Sequence, residues 1–183
     1  GSNLLMGDDG NDTVNGGAGA DLMFGGLGND TYYVDSPAGG EIVYERYGQG
    51  IDTVITTGTI GALYMNVENV VMAGAADLQV FGNELANNIQ GNAGNNVLDG
   101  KEGADLMAGG LGYDTYYVDD AGDVIVETLS AGTDTVYSTV SHTLSANVEH
   151  LILTSDEAVD ATGNDLKNRL TGNAAANALD GGA

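Results

Sequence analysis

The feature that most constrains the fold of this chain is a nine-residue repeat. From Gly16 to Val34 the sequence reads GGAGADLMFGGLGNDTYYV, two copies of Gly-Gly-x-Gly-x-Asp, each followed by a free residue, a large apolar residue and a free residue. Glycines at fixed offsets from an Asp indicate a turn with unusual backbone angles. The apolar residue two positions after the Asp indicates a very short strand with one buried side chain. One such unit cannot bury that side chain alone, so copies of it must stack.

The repeat extends over most of the chain. With the first glycine as position one, position six is Asp or Asn and position eight is large and apolar in every copy. The copies begin at Gly7, Gly16, Gly25, Gly82, Gly91, Gly100, Gly109, Gly163 and Gly172. Chance does not produce an apolar residue at the same position of every copy, so the pattern predicts a repeat architecture.

A longer repeat, close to nine nonapeptides in length, organises the short one and relates Asp30 to Asp114. We therefore expect a first unit over residues 3–81 (cluster 3–34, strand-rich coils 35–81) and a second over 82–162 (cluster 82–118, coils 119–162). Residues 163–183 begin a truncated third unit. Because Gly1-Ser2 is typical of a cloning remnant and the chain ends inside a nonapeptide, we expect a piece of a longer array.

The charge balance points to cations as partners. The 183 residues carry 27 acidic and 4 basic side chains, a net charge of −23. Nucleic acids and anionic lipids both require Lys and Arg patches, so neither is an expected partner. No cysteine is present to form disulfides, and no apolar run is long enough to predict a transmembrane helix.

The segments between the clusters read as strands rather than helices. The predicted strands cover 41–45, 52–57, 66–72, 78–81, 122–127, 133–140, 147–153 and 158–162, with a turn at 35–40. Residues 60–65 are the one segment that could form a short helical turn. The apolar positions recur at intervals of between one and two nonapeptides, which favours half-coils of one continuous right-handed parallel solenoid. Small separate domains between the clusters are the alternative.

The position-six side chains form the candidate metal site. If each nonapeptide is half a coil, equivalent residues two repeats apart lie above one another. The predicted stacks are Asp12 with Asp30, Asn3 with Asp21 and Glu41, Asn96 with Asp114 and Asp134, and Asn87 with Asp105 and Asp123. Stacked carboxylates cannot all stay ionised without a cation between them. An all-oxygen ligand set without His or Cys suits Ca²⁺ better than Zn²⁺, Cu²⁺ or Mg²⁺.

The sequence GGAGADLMFGGLGNDTY resembles the RTX (repeats-in-toxin) nonapeptide of secreted bacterial proteins. The resemblance implies an all-β parallel β-roll in which several Ca²⁺ ions lie between stacked Gly/Asp turns. It also implies export through a type I secretion system and folding outside the cell. It is specific in the two clusters and at the start of the third, and looser in the strand-rich segments.

The resemblance also implies a ligand set. In the family, one turn provides backbone oxygens at positions two and four and the position-six carboxylate, and the turn two repeats later provides positions one, three and six. Transferred to this chain, the candidates are Asp8, Gly10 and Asp12 with Gly25, Leu27 and Asp30; Gly16, Ala18 and Asp21; Asn92, Gly94 and Asn96 with Gly109, Leu111 and Asp114; and Asn83, Leu85 and Asn87 with Gly100, Glu102 and Asp105. Asp52, Asp123 and Asp134 are further candidates in the coils that follow.

Some turns depart from the pattern. Position six is Asn at Asn87, Asn96, Asn168 and Asn177, which provides an amide oxygen and less charge. Position four is leucine at Leu85 and Leu166. We expect these turns to bind ions weakly or not at all.

No catalytic constellation is present in the sequence, because His142 and His150 have no Cys or triad partner and the acidic pairs follow the repeat. We therefore expect a non-enzymatic, calcium-binding module of a large secreted or surface protein, such as an adhesin. The alternative is the accessory C-terminal module of a secreted lipase, protease or alginate epimerase. A weaker hypothesis is a glycan-binding strip made by the tyrosine pairs at 32–33 and 116–117. Glu68 and Glu149, in the repeated Asn-Val-Glu, are expected to have structural hydrogen-bonding roles.

Overall fold

The computed structural model describes residues 1–35, 40–129 and 131–183, so most of the turn predicted at 35–40 lies outside the described residues. These three ranges contain short parallel strands joined by turns, and no helix. The strands stack into a β-solenoid of about ten turns, which confirms the predicted parallel β-roll. In the part of the chain that is described, no helix is long and apolar enough to cross a membrane.

The strands are two to six residues long. The first ten are β1 (Leu4–Asp9), β2 (Thr13–Asn15), β3 (Leu22–Leu27), β4 (Thr31–Val34), β5 (Ile42–Val43), β6 (Thr53–Thr56), β7 (Asn69–Met72), β8 (Gln79–Phe81), β9 (Asn88–Gln90) and β10 (Val97–Asp99). The others are β11 (Leu106–Ala108), β12 (Thr115–Val118), β13 (Val124–Ile125), β14 (Thr135–Ser138), β15 (His142–Thr143), β16 (His150–Leu153), β17 (Ala161–Thr162), β18 (Arg169–Thr171) and β19 (Leu179–Asp180).

The strands form two faces of the roll. The first face contains the sheets β1-β3-β5 and β8-β10-β12-β14-β16-β18, and the second contains β2-β4-β6-β7-β9-β11-β13 and β15-β17-β19. In the nonapeptide clusters the chain crosses from one face to the other after every strand, so paired residues such as Leu98 and Tyr116 are two repeats apart. This is the register that the nine-residue period predicts.

Position eight of the nonapeptides builds the core. Met23, Tyr32, Ile89, Leu98 and Met107 are fully buried. The same hydrophobic cluster contains the position-eight residues Val14 and Tyr116 and the linking-segment residues Val43, Val54, Val67, Val70, Val136, Val148 and Leu151. The linking segments therefore continue the coil, and the alternative of separate small domains is wrong.

Several linking strands are shorter than predicted. The strands predicted at 66–72 and 147–153 begin only at Asn69 and His150, because Asn66 (φ 61°) and Asn147 (φ 69°) adopt a left-handed backbone that ends an extended run. The possible helical turn at 60–65 is instead a single parallel bridge at Ile60 followed by turns.

The repeated sequence Thr-Tyr-Tyr-Val occurs on both faces. It forms β4 on the second face and β12 on the first, because an odd number of half-coils separates the two copies. The exposed tyrosines Tyr33 and Tyr117 therefore point away from opposite sheets. The tyrosine pairs do not form one continuous strip.

Candidate metal centre

Side chains at the start of the half-coils form two ladders along the edges of the roll. In each rung, the backbone N–H of one residue donates to the side-chain oxygen of the residue one coil further on. On the first edge these bonds join Asp12 to Asp30 (2.8 Å), Asp30 to Asp52 (2.8 Å), Asp52 to Glu68 (2.8 Å), Asn87 to Asp105 (2.7 Å) and Asp105 to Asp123 (3.0 Å). On the second edge they join Asn3 to Asp21 (2.7 Å), Asn96 to Asp114 (2.7 Å), Asp114 to Asp134 (2.8 Å) and Asp134 to Glu149 (2.9 Å).

The ladders bring the predicted position-six residues together, including Asp52 and Asp134 at the irregular spacings of 22 and 20 residues. They also give Glu68 and Glu149 the hydrogen-bonding role that the sequence predicts.

Seven aspartates of the ladders each have one carboxylate oxygen that no ladder hydrogen bond uses. The Oδ2 atoms of Asp12, Asp21, Asp30, Asp52, Asp105, Asp114 and Asp134 are buried and have no hydrogen-bond partner among the described residues. Six of these seven side chains are at most 1% exposed, and Asp12 is half-buried. A buried carboxylate oxygen without a partner is destabilising unless it is protonated or coordinates a cation. The array of unpartnered oxygens is therefore a set of candidate cation ligands.

Burial dominates the electrostatics of these groups. It raises the pKa of Asp52 to about 6 and the pKa of Asp105 and Asp114 to about 7. It also raises the pKa of Asp30 and Asp134. The ladder N–H that each of the five carboxylates accepts lowers its pKa in part, and neighbouring carboxylates raise it further. His150 also lowers the pKa of Asp134. Without a cation, the folded chain therefore favours protonation of these five carboxyls.

The glycines allow successive turns to lie in direct contact. At Gly26 the backbone has φ 109°, and a Cβ would lie 1.8 Å from the carbonyl oxygen of Asp8 in the turn before. Gly110 repeats this arrangement, with φ 103° and a Cβ position 2.3 Å from the carbonyl oxygen of Asn92. Across this contact, the carbonyl of Leu27 accepts the backbone N–H of Gly10 (2.7 Å), and the carbonyl of Asn92 accepts the backbone N–H of Leu111 (3.1 Å). Both carbonyls belong to the predicted ligand set.

The turns with Asn at position six are closed by their own amides. Asn96 accepts the backbone N–H of Asn92 (2.8 Å) and donates to the Asn92 side-chain oxygen (3.1 Å). Asn92 in turn donates to the carbonyl of Ala76 in the preceding turn (3.1 Å). The pairs Asn83–Asn87, Asn164–Asn168 and Asn173–Asn177 repeat this arrangement. The side-chain amides of these asparagine pairs are therefore hydrogen-bonded without an ion.

Asp123 differs from the other ladder aspartates. Its Oδ1 accepts the N–H of Asp105, and its Oδ2 accepts the N–H groups of Asp119 and Asp120 (both 3.2 Å). Among the sequence-predicted acidic candidates, Asp123 is therefore the one with both oxygens used by the protein.

Two glutamates that the sequence pattern did not indicate as ligands also join the ladders. Glu45 lies with Asp30 and Asp52, and Glu127 lies with Asp114 and Asp134; in each group one ligand oxygen per residue lies within 4.8 Å of the other two. The alternation of inward and outward side chains along residues 41–45 could have revealed Glu45. Glu41, Val43 and Glu45 lie on the inward side of this extended segment, and all three are buried. A buried Glu on the core side of a strand needs a partner.

The fold and its turns define a class of protein: a parallel β-roll whose turns present buried acidic oxygens for metal ions. Within that class, the profile of the RTX calcium-binding nonapeptide repeat matches residues 1–32 and 81–116, as four copies. The chain therefore carries the repeats of the RTX calcium-binding family. Calcium is the ion that this family binds, and the acidic groups described above are positioned to bind ions.

A curated relative gives a second comparison. Over 95 residues the chain is 38% identical to the endo-1,3-1,4-beta-glycanase ExsH of Rhizobium meliloti (strain 1021). The match covers 51% of this chain and 20% of that protein, so the chain matches about one fifth of its relative's length. No solved structure matches the chain.

Proposed function

We propose that this chain is a structural module of a large secreted or surface protein, and that it folds when Ca²⁺ ions bind between its turns outside the cell. The observation that carries the proposal is the set of seven buried aspartate oxygens without a hydrogen-bond partner. Among the described residues, no Lys or Arg forms a salt bridge with them. The only salt bridge of the described residues joins Lys101 to Asp99, which is not in the ladders.

The mechanism is coupled folding and binding. Without Ca²⁺, the 27 acidic groups repel one another, and the buried ladder must be protonated or carry uncompensated charge. An ion that binds only the folded roll shifts the equilibrium toward it. The Ca²⁺-poor cytosol would then keep the chain unfolded for export, and the Ca²⁺-rich exterior would fold it.

The proposed ligands are the ladder oxygens together with the carbonyls of the facing turns. The site with most available charge among the nonapeptide turns pairs Asp8, Gly10 and Asp12 with Gly25, Leu27 and Asp30. The sites that include Asn87 and Asn96 would be weaker, since their amides are already hydrogen-bonded. The units 3–81 and 82–162 would each contribute such a cluster, whereas both position-six residues of the incomplete 163–183 are Asn, with amides that are already hydrogen-bonded.

Far-UV circular dichroism during a Ca²⁺ titration, with Mg²⁺ as the control cation, tests this proposal. We expect a cooperative gain of β signal with Ca²⁺ alone. The double variant Asp12→Ala, Asp30→Ala should require more Ca²⁺ to reach the same signal. A spectrum that is fully folded in metal-free buffer at neutral pH, with no change on addition of Ca²⁺, would contradict the proposal.

The relative favours a second candidate function, that of an accessory module in a secreted enzyme. The aligned relative is named as a glycanase, and this chain matches only a fifth of it. The module would then assist export and folding of a catalytic part, or bind its substrate. Deleting the module from the full-length parent distinguishes the two: loss of secreted catalytic activity supports the accessory role, and a parent without any catalytic domain excludes it.

A further inference from the structure

The two groups that contain Glu45 and Glu127 differ in composition from the nonapeptide turns. The first triad is Asp30, Glu45 and Asp52, and the second triad is Asp114, Glu127 and Asp134. All six side chains are at least nine-tenths buried, the most exposed being Glu127 at 8%. These are the only groups of three acidic or His ligands that converge within 4.8 Å in the described parts of the chain.

Every carboxylate of a triad has one oxygen engaged and one oxygen unpartnered. In the first triad, Asp30 accepts from the N–H of Asp12, Asp52 accepts from the N–H of Asp30, and Glu45 accepts from the Tyr32 hydroxyl. The second oxygen of each has no hydrogen-bond partner.

The second triad repeats this arrangement atom for atom. Asp114 accepts from Asn96, Asp134 accepts from Asp114, and Glu127 accepts from the Tyr116 hydroxyl. Again the remaining oxygen of each carboxylate is buried and unpartnered. The same three carboxylates, each with one unpartnered oxygen, therefore converge at two places in one chain, which indicates a built site rather than a chance cluster.

The glutamate occupies a place that glycine holds in the nonapeptide turns. Gly25 follows the core residue Met23 by two positions, and Glu45 follows Val43, the strand partner of Met23, by two positions. A Cβ at Gly25 would lie 1.9 Å from Asp30 Oδ2, so an ordinary nonapeptide turn has no room for a side chain there. The turn after Glu45 is longer, with seven residues to Asp52 instead of the five from Gly25 to Asp30, and it accommodates a third carboxylate.

A tyrosine fixes each glutamate in place. The buried Tyr32 and Tyr116 side chains fill the core and donate their hydroxyls to Glu45 and Glu127. Tyr116 also accepts the backbone N–H of Gly109 (2.6 Å), which holds its hydroxyl at the turn. A ligand oriented by a second hydrogen-bonding group needs little reorganisation to bind an ion, and loss of such support lowers metal affinity.

We propose that the two triads are a second class of Ca²⁺ site, in which three converging carboxylates bind an ion more tightly than the sites between nonapeptide turns and fill first. This inference rests on the proposed function and adds an order of binding to it. The physical reason is the ligand charge: affinity for Ca²⁺ rises with the number of carboxylates and with the rigidity of the site. A nonapeptide pair provides two aspartates at most, and only one where position six is Asn.

Isothermal titration calorimetry of the whole metal-free chain with Ca²⁺ tests the proposal, with Tb³⁺ luminescence excited through tyrosine as a second readout. Tyr32 and Tyr116 contact the triads, so Tb³⁺ in these sites should be sensitised efficiently. In the unmodified chain, two ions should bind in a tight first phase. E45Q and E127Q should each reduce that phase to one ion, and the double variant should lower the affinity of both ions by about tenfold or more.

The control is the double variant E84Q, E157Q, which removes the same charge at two exposed glutamates. It should retain both tight ions. A tight phase that is unchanged in E45Q/E127Q would overturn the proposal, and so would loss of both tight ions in either single variant. An unmodified chain that takes up no Ca²⁺ would instead refute the proposed function itself.

Discussion

The metal-free chain should become more stable as the pH falls from about 8 to about 5. The perturbation is the protonation of Asp105 and Asp114, which are 1% exposed and whose pKa values burial raises to about 7. In the unfolded chain the same carboxyls titrate near their ordinary pKa of about 3.9. Between these pH values the folded state binds more protons than the unfolded state, so the free energy of unfolding rises on acidification.

The magnitude follows from the number of protons. Each carboxyl contributes about 1.4 kcal/mol per pH unit between its unfolded and folded pKa. Asp105 and Asp114 lie on opposite edges of the roll and titrate over the same range, so their joint contribution is about 3 kcal/mol per pH unit. This stabilisation is complete below about pH 4 and is lost as the pH rises through 7. Saturating Ca²⁺ should reverse the sign, because it binds the deprotonated carboxylates.

The folded fraction, read from far-UV circular dichroism at pH values of about 5, 6, 7 and 8, measures the effect in metal-free buffer and in saturating Ca²⁺. Urea unfolding gives the free energy under those conditions in which the chain is folded. The double variant Asp105→Asn, Asp114→Asn is the control, since Asn is the natural residue at the corresponding places of Asn87 and Asn96. It should flatten the metal-free slope. A metal-free stability that increases with pH in the unmodified chain would refute the reasoning.

Three substitutions and one matched control test other parts of the structure by urea unfolding. Tyr116→Phe removes the hydroxyl that Glu127 accepts and should lower the free energy of unfolding by about 1–3 kcal/mol, whereas Tyr117→Phe at the exposed neighbour should change it by less than about 0.5 kcal/mol. Asn164→Ala removes two bonds to carbonyls of the preceding turn, and its loss of about 1–3 kcal/mol should be equal with and without Ca²⁺. Leu98→Ala, at a fully buried site, should cost about 2–5 kcal/mol in saturating Ca²⁺; a loss below 1 kcal/mol (about one methylene) would contradict its place in the core.

The nonapeptide clusters were predictable because their period determines the geometry. A nine-residue half-coil requires strand pairing between residues two repeats apart, and the structure pairs Val14 with Tyr32 and Leu98 with Tyr116 in that register. The position-six stacks follow from the same spacing. For these parts of the chain, glycine positions and one apolar residue per repeat contain enough information to place each side chain inside or outside the roll.

The linking coils were less predictable because their turn lengths depend on side-chain contacts. Asn66 donates to the carbonyl of Glu45 (2.9 Å), and Asn147 donates to the carbonyl of Glu127 (2.9 Å), each from a left-handed backbone. These bonds close turns of irregular length, and no fixed period reveals them. Strand boundaries near 66 and 147 were therefore misplaced.

Glu45 and Glu127 were missed for a related reason. Their role depends on register across the irregular coil, where the glutamate takes the place of a position-one glycine. The repeat pattern directs attention to position six and treats other acidic residues as surface charge. The sequence did contain one indication: Glu45 lies on the same buried face of its extended segment as the core residue Val43.

The presence of Thr-Tyr-Tyr-Val on both faces has a consequence for the shape of the roll. From β4 to β12 the chain passes through nine half-coils, so the second copy is turned by half a revolution. At about 4.8 Å per coil, it lies about 22 Å further along the axis. The two halves are thus related by an approximate two-fold screw, and the triads fall on opposite edges. If an ion bound at one triad shortened its edge of the roll, the ion bound at the other triad would shorten the opposite edge, and the two effects would oppose each other. Bound ions would then stiffen the roll without bending it.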